Sequence, residues 1–295
     1  MALLAIVLWG LSFVATKAAL AELRPIPLIV ARFAMGIALL GALVVGRGQT
    51  RALVRAPWAR LLLLGFCGVF VHMLLQAYAL TMTSAVNTGW LIGVIPIWSA
   101  ILAAIFLHER FTGLRVAGLV LGLAGALLVV TRGQVSGATL ALPSTRGDLL
   151  VLVSTVNWAI YTVMARGLVS RVGALPATAG AMFAGWLLLL PFFFAGGGMS
   201  AYAHLSTRAW LAVVFLGIGC SGLGYLLWYA ALERLAASQV AAFLYLEPLV
   251  TLAAAWAWLG EPVGVVTIVG GLLVLAGVAL VQRPAGRAVA IRNSD

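Results

Sequence analysis

A helix that crosses a bilayer needs about 20 consecutive apolar residues, and this chain supplies such runs one after another. They fall at 2–21, 27–46, 59–81, 85–107, 112–131, 148–166, 175–195, 208–232, 236–259 and 263–282. The breaks between them carry Pro, Gly and charge, as in "RPIP" at 24–27, "HERFTG" at 108–113 and "GEP" at 260–262. Of the 295 residues, 64% are hydrophobic and only 8% are charged, where a soluble domain carries about 25%. That leaves too little polar surface to face water. In lipid the backbone closes its own hydrogen bonds, as helices or as a barrel. The runs are twice the length of barrel strands and do not alternate. The sequence predicts an all-α polytopic membrane protein of ten helices.

The sequence excludes several other classes. The pI of about 11.0 does not mark a nucleic-acid protein, because the basic residues are scattered over the loops. Only Arg47, Arg51, Arg55 and Arg60 cluster, and they flank a span. Cys67 and Cys220 fall inside apolar runs and read as buried thiols. His72, His108 and His204 are far apart, and no HExxH or P-loop is present. No catalytic or metal constellation is therefore expected, and no cofactor. "ALA" at 19–21 resembles a cleavage site, but no basic segment precedes it, so the first span is expected to stay. Ten spans put both termini on one side. Twelve Arg fall on that side against five Lys and Arg on the other, which places both termini in the cytoplasm by the positive-inside rule.

The chain is also written twice. A shift of 152 residues puts Trp58 on Trp210, Gly65 on Gly217, Pro96 on Pro248, Glu109 on Glu261, Gly118 on Gly270 and Gly125 on Gly277. A shift of 149 puts Trp9 on Trp158 and Lys17 on Arg166. The division expected is a first repeat at 1–133, a loop at 134–147, a second repeat at 148–283 and a cytoplasmic tail at 284–295. Five spans per repeat is an odd number, so the second copy is expected inverted, which is a transporter architecture with the site between the halves.

The motifs "LWGLSFVATKAAL" (8–20), "ARF" (31–33), "P…HE" (96–109) and "GLVLGLAGALLV" (118–129), with "LEP…LGEP" (246–262) and "GGLLVLAGVALV" (270–281) in the second copy, resemble tandem EamA-type domains. The chain is thereby similar to the ten-helix members of the drug/metabolite transporter superfamily. The resemblance implies a metabolite carrier, often an exporter, with the amino-acid exporters (those like YddG) as the nearest functional type. Nucleotide-sugar or sugar-phosphate carriers are the alternative. A membrane enzyme or a channel fits less well, since neither needs inverted repeats.

Polar residues inside a membrane face the bundle interior. Recurrence at three- and four-residue steps selects one helix face. The cavity-lining candidates are Trp9, Ser12, His72, Gln76, Asn87, Trp98, Asn157, Trp158, Tyr161, Tyr225, Trp228, Gln239 and Glu247. Spans 1, 3, 4, 6, 8 and 9 are expected to line the cavity, and 2, 5, 7 and 10 to buttress it. Gly118 and Gly122 form a GxxxG pair that suits close packing. Trp58 and Trp210 read as interfacial anchors, and Lys17 and Arg166 as snorkelling groups. Glu109 and Glu261 read as loop-holding groups. Glu247 is the one carboxylate expected at depth, while "RGD" at 146–148 reads as a plain loop. Rings and neutral amides suit an amino acid, whose ammonium can stack on aromatic faces. A phosphate site would gather several Lys or Arg. Pro96 and Pro248 break the ladder at Ile92 and Leu244 and read as paired hinges. The expected partners are a small-molecule substrate and membrane lipids, with the chain a monomer or weak dimer in a bacterial inner membrane.

Overall fold

The computed structural model describes residues 1–107, 113–133, 143–234, 240 and 243–281. It is helical, with no strand among the described residues. In chain order the helices are α1 (Ala2–Leu20), α2 (Pro25–Gly46), α3 (Trp58–Met82), α4 (Ala85–Ile92), α5 (Ile95–Leu107), α6 (Gly113–Thr131), α7 (Pro143–Val172), α8 (Ala174–Ala195), α9 (Thr207–Ala231), α10 (Glu247–Ala254) and α11 (Val265–Val281). Seven of these (α1, α2, α3, α6, α7, α8 and α9) are each long and apolar enough to cross a membrane. The sixth span is longer than its apolar run suggested. Pro143, with its fixed φ and missing donor, opens α7 inside the expected inter-repeat loop. Gly173, at φ +85°, ends it.

Lipid tails are as apolar as Leu side chains, so helices in a bilayer associate through close packing rather than hydrophobic burial. Glycines provide it here. A Cβ on Gly118 would lie 2.5 Å from the Gly277 carbonyl, and one on Gly125 would lie 2.5 Å from the Gly270 carbonyl. α6 and α11 therefore cross antiparallel with their backbones touching. The 152-residue shift turns Gly118 into Gly270 and Gly125 into Gly277, so exchanging the copies maps this pair of contacts onto itself. The opposite face of α6 exposes Val116, Val120, Leu123 and Leu127, an apolar strip suited to lipid.

A second crossing obeys the same exchange. Gly65 of α3 packs on Gly185 of α8, where an added Cβ would meet backbone at 2.4 Å. Its twin Gly217 of α9 packs on α2, with Gly36 close to the Gly217 carbonyl. Beside each crossing the helix widens into a π turn, at Phe66–Val71 in α3 and Phe215–Gly224 in α9. Such turns commonly mark functional positions. In each, one carbonyl accepts a side-chain donor from the other repeat. Cys67 O accepts from Asn157 Nδ2 at 2.8 Å, and Cys220 O from Trp9 Nε1 at 3.2 Å.

The two prolines also occupy matching places. α4 stops at Ile92, Gly93 and Val94 form a turn, and Pro96 is the second residue of α5. Phe243–Leu246 is a tight 3₁₀ turn, and Pro248 is the second residue of α10. Each proline therefore restarts a helix where its missing amide costs nothing, instead of kinking a continuous one.

The glycine crossing gives a direct test. Gly118→Leu forces a side chain into the α11 backbone, and overpacking of this kind costs about 1–3 kcal/mol. We expect a clearly lowered Tm in detergent. Gly41→Ala, where an added Cβ meets nothing within 4 Å, should leave the Tm unchanged or slightly raised.

Candidate functional site

The ends and middles of these helices line a cavity. α1 contributes Trp9, Ser12, Phe13 and Thr16. α2 contributes Leu28, Ile29 and Arg32, and α3 contributes His72, Met73, Gln76, Ala77 and Leu80. Ile92, Ile95, Trp158, Tyr225, Leu244 and Glu247 close the wall. The two helix breaks at 93–94 and 243–246 thus sit against the cavity, where irregular backbone is tolerated at membrane depth.

Trp9 is the hub of the aromatic wall. Its ring centroid lies 5.6 Å from Trp158, 5.4 Å from Tyr225 and 5.1 Å from Trp228. Trp158 in turn lies 4.7 Å from His72. His72 Nδ1 is 3.2 Å from the Ser154 carbonyl. A carbonyl only accepts, so Nδ1 carries the proton and donates it there. The Tyr225 hydroxyl is buried with no hydrogen-bond partner among the described residues. Arg32 donates its Nε to Ser221 Oγ at 3.0 Å.

Seven of the thirteen sequence candidates meet at this cavity: Trp9, Ser12, His72, Gln76, Trp158, Tyr225 and Glu247. Five others lie outside the wall, with their polar atoms bonded to neighbouring helices or their rings behind it. Asn87 donates to Asp148 at 3.0 Å, Trp98 to Thr155 Oγ1 at 2.9 Å, and Asn157 to the Cys67 carbonyl. Tyr161 bonds Tyr229 hydroxyl to hydroxyl, and Trp228 backs Trp9 from behind. Gln239 lies outside the described residues. The wall also includes α2, which the sequence assigned to buttressing. A guanidinium cannot face lipid cheaply, and turning Arg32 inward brings Leu28 and Ile29 with it.

The "RGD" triplet is likewise not a plain loop. Asp148 sits in the first turns of α7 with no exposed surface, so Glu247 is not alone in being buried. Asp148 accepts from Thr83 Oγ1 at 2.5 Å and from Asn87 Nδ2. Beside it Lys17 donates to the Thr83 carbonyl at 2.6 Å and pairs with Glu261 at 3.1 Å, where snorkelling alone was expected. Glu261 also accepts the amides of Ala85 and Val86, both at 3.0 Å, and so caps α4 with a negative charge at its positive end. The ends of α1 and α3, the starts of α4 and α7, and the segment after α10 are thereby latched at one face. Glu109 and the side chain of Arg166, their sequence twins, lie outside the described residues.

Two further carboxylates hold helix starts. Glu22 accepts from Ser206 Oγ and N at 2.6 and 2.7 Å ahead of α9. Those bonds hold its carboxyl below the usual range. Glu233 accepts the Ala174 amide that opens α8. The latch should matter for stability. Asp148→Ala strands two buried donors, each worth about 1–3 kcal/mol, and should lower the Tm well below that of Asp148→Asn, which keeps an acceptor.

Comparison with known proteins agrees with this architecture. The EamA-like transporter family model matches residues 1–131 and 145–283. An archaeal protein of Archaeoglobus fulgidus named an uncharacterized transporter is 33% identical over 289 residues, covering 95% of this chain and 96% of the relative. A protein of Streptantibioticus cattleyicolor named a probable terminal-alkyne amino-acid exporter is 32% identical over 285 residues, covering 95% and 91%. A crystal structure at 24% identity superposes with a TM-score of 0.70 over 95% of this chain and 94% of its own; it shares the fold. With two copies of the family's domain spanning nearly all of its length, the chain belongs to the EamA-like transporter family of the drug/metabolite transporter superfamily.

Proposed function

We propose that the protein is an alternating-access carrier that exports amino acids across a bacterial inner membrane, with both termini in the cytoplasm. The composition of the cavity wall carries this reading. Trp9, Trp158 and Tyr225 supply rings, Gln76 and Ser12 supply neutral polar groups, and Arg32 is the one Lys or Arg among the described lining residues. A sugar phosphate or nucleotide-sugar would call for several converging basic groups. The name of the Streptantibioticus relative points the same way. Alternation is supported by the matched breaks at Pro96 and Pro248, which serve as paired hinges, and by the polar latch on one face, which has to open for the cavity to change sides.

Counterflow in proteoliposomes tests the proposal. Unlabelled amino acid trapped inside should accelerate saturable uptake of labelled amino acid outside. Linear flux without trans-stimulation would sink the carrier reading. Stimulation by nucleotide-sugars but by no amino acid would replace the substrate class.

A further inference from the structure

Five carboxylates lie among the described residues, and four are committed. Glu22 holds Ser206, Asp148 holds Thr83 and Asn87, Glu233 holds the Ala174 amide, and Glu261 holds α4 and Lys17. Glu247 is the exception. It is 3% exposed and lines the cavity, and its carboxylate has no hydrogen bond or ion pair with any described residue. Arg32, 6% exposed on the same wall, makes one hydrogen bond, from Nε to Ser221, and its guanidinium lies 5.4 Å from the centre of the Phe33 ring. Its two terminal nitrogens, the fork that grips a carboxylate, have no partner among the described residues. The two opposite charges do not meet, for Lys17–Glu261 is the ion pair among the described residues.

An unpaired charge in a low-dielectric interior is costly, and two of opposite sign are more so unless something joins them. We infer that Arg32 and Glu247 are the two poles of a zwitterion site. Arg32 takes the α-carboxylate and Glu247 the α-ammonium of one substrate molecule, with Tyr225 offering its unpaired hydroxyl beside them. The side chain of the substrate lies against Trp9 and Trp158. This rests on the amino-acid reading above and sharpens it: the site selects for both charged groups of the solute at once, and Glu247 rejects solutes that lack a free amine. Neither pole is duplicated in the other repeat. Glu247 falls on Ile95 and Arg32 on Ala181, so these positions are particular to the site and not to the repeated scaffold.

The test uses the full chain in proteoliposomes, labelled phenylalanine as probe, and two competitors, N-acetylphenylalanine and phenethylamine. Each competitor lacks one of the two charges. In the wild type both should compete at least tenfold more weakly than phenylalanine. Glu247→Gln should weaken phenylalanine at least tenfold and erase its advantage over the N-acetyl compound, while the advantage over phenethylamine persists. Arg32→Gln should do the reverse. Arg32→Lys, which keeps the charge, covers the case in which loss of the Ser221 bond harms folding. A uniform loss toward all three compounds in Glu247→Gln overturns the proposal. So does unchanged discrimination with loss only of the response to a pH gradient, which would make Glu247 a proton carrier instead. If the wild type moves no amino acid, the amino-acid reading falls and this proposal with it. Transport by the wild type with variants that keep both advantages, or lose both together, removes this proposal alone.

Discussion

The backbone of a membrane protein has no water to turn to, and its helices gain nothing by hiding apolar side chains from lipid that is equally apolar. Contact between backbones is what remains, and here it runs through glycines that pair across the two copies. Gly118 with Gly277 and Gly125 with Gly270 form one crossing, and Gly65 with Gly185 and Gly36 with Gly217 form the other. The rest follows from them. The crossings bring α2, α3, α8 and α9 together. The wide turns beside them carry Cys67 and Cys220, to which Asn157 and Trp9 bond. Trp9, so fixed, sets the aromatic wall of the cavity.

Some polar groups in this protein only join helices, while others, such as Trp9, His72 and Arg32, join helices and also face the cavity. Asn87, Trp98 and Asn157 are joiners, as is the buried Asp148 with Thr83. Glu22, Glu233 and Glu261 are joiners of another kind, each seated at the positive end of a helix. Chemistry alone does not separate the two groups, because a satisfied Asn and an available one look the same in a sequence.

Much of the architecture was nonetheless legible. The apolar runs gave the helices, and ordered Trp, Pro, Glu and Gly matches gave the repeat, because these residues rarely coincide by chance in an Ala- and Leu-rich chain. Part of the cavity followed from three- and four-residue spacing on α1 and α3, as with Trp9, Ser12, His72 and Gln76. What spacing could not supply was rotation. α2 carries a single polar residue, too few for a period, and so Arg32 was not placed in the wall. Asp148 was missed because "TRGD" has turn composition, while Pro143 starts a helix that buries it. The π turns had one visible signal, the glycines at 65 and 68 and at 217, 219, 222 and 224, where a helix free of Cβ atoms can widen.

The exchanged crossings also bear on how the two halves of the gene could diverge. A residue that touches its own twin's neighbour cannot change without loosening the same joint from the other side. The glycines at 118, 125, 270 and 277 are therefore held alike by mutual constraint, although the copies around them have drifted apart. The cavity imposes no such bond between Glu247 and Ile95, or between Arg32 and Ala181. Drift was free to accumulate there, and a duplicated scaffold with two equivalent halves could acquire a lining with one acidic and one basic side, and so a direction in which a solute lies.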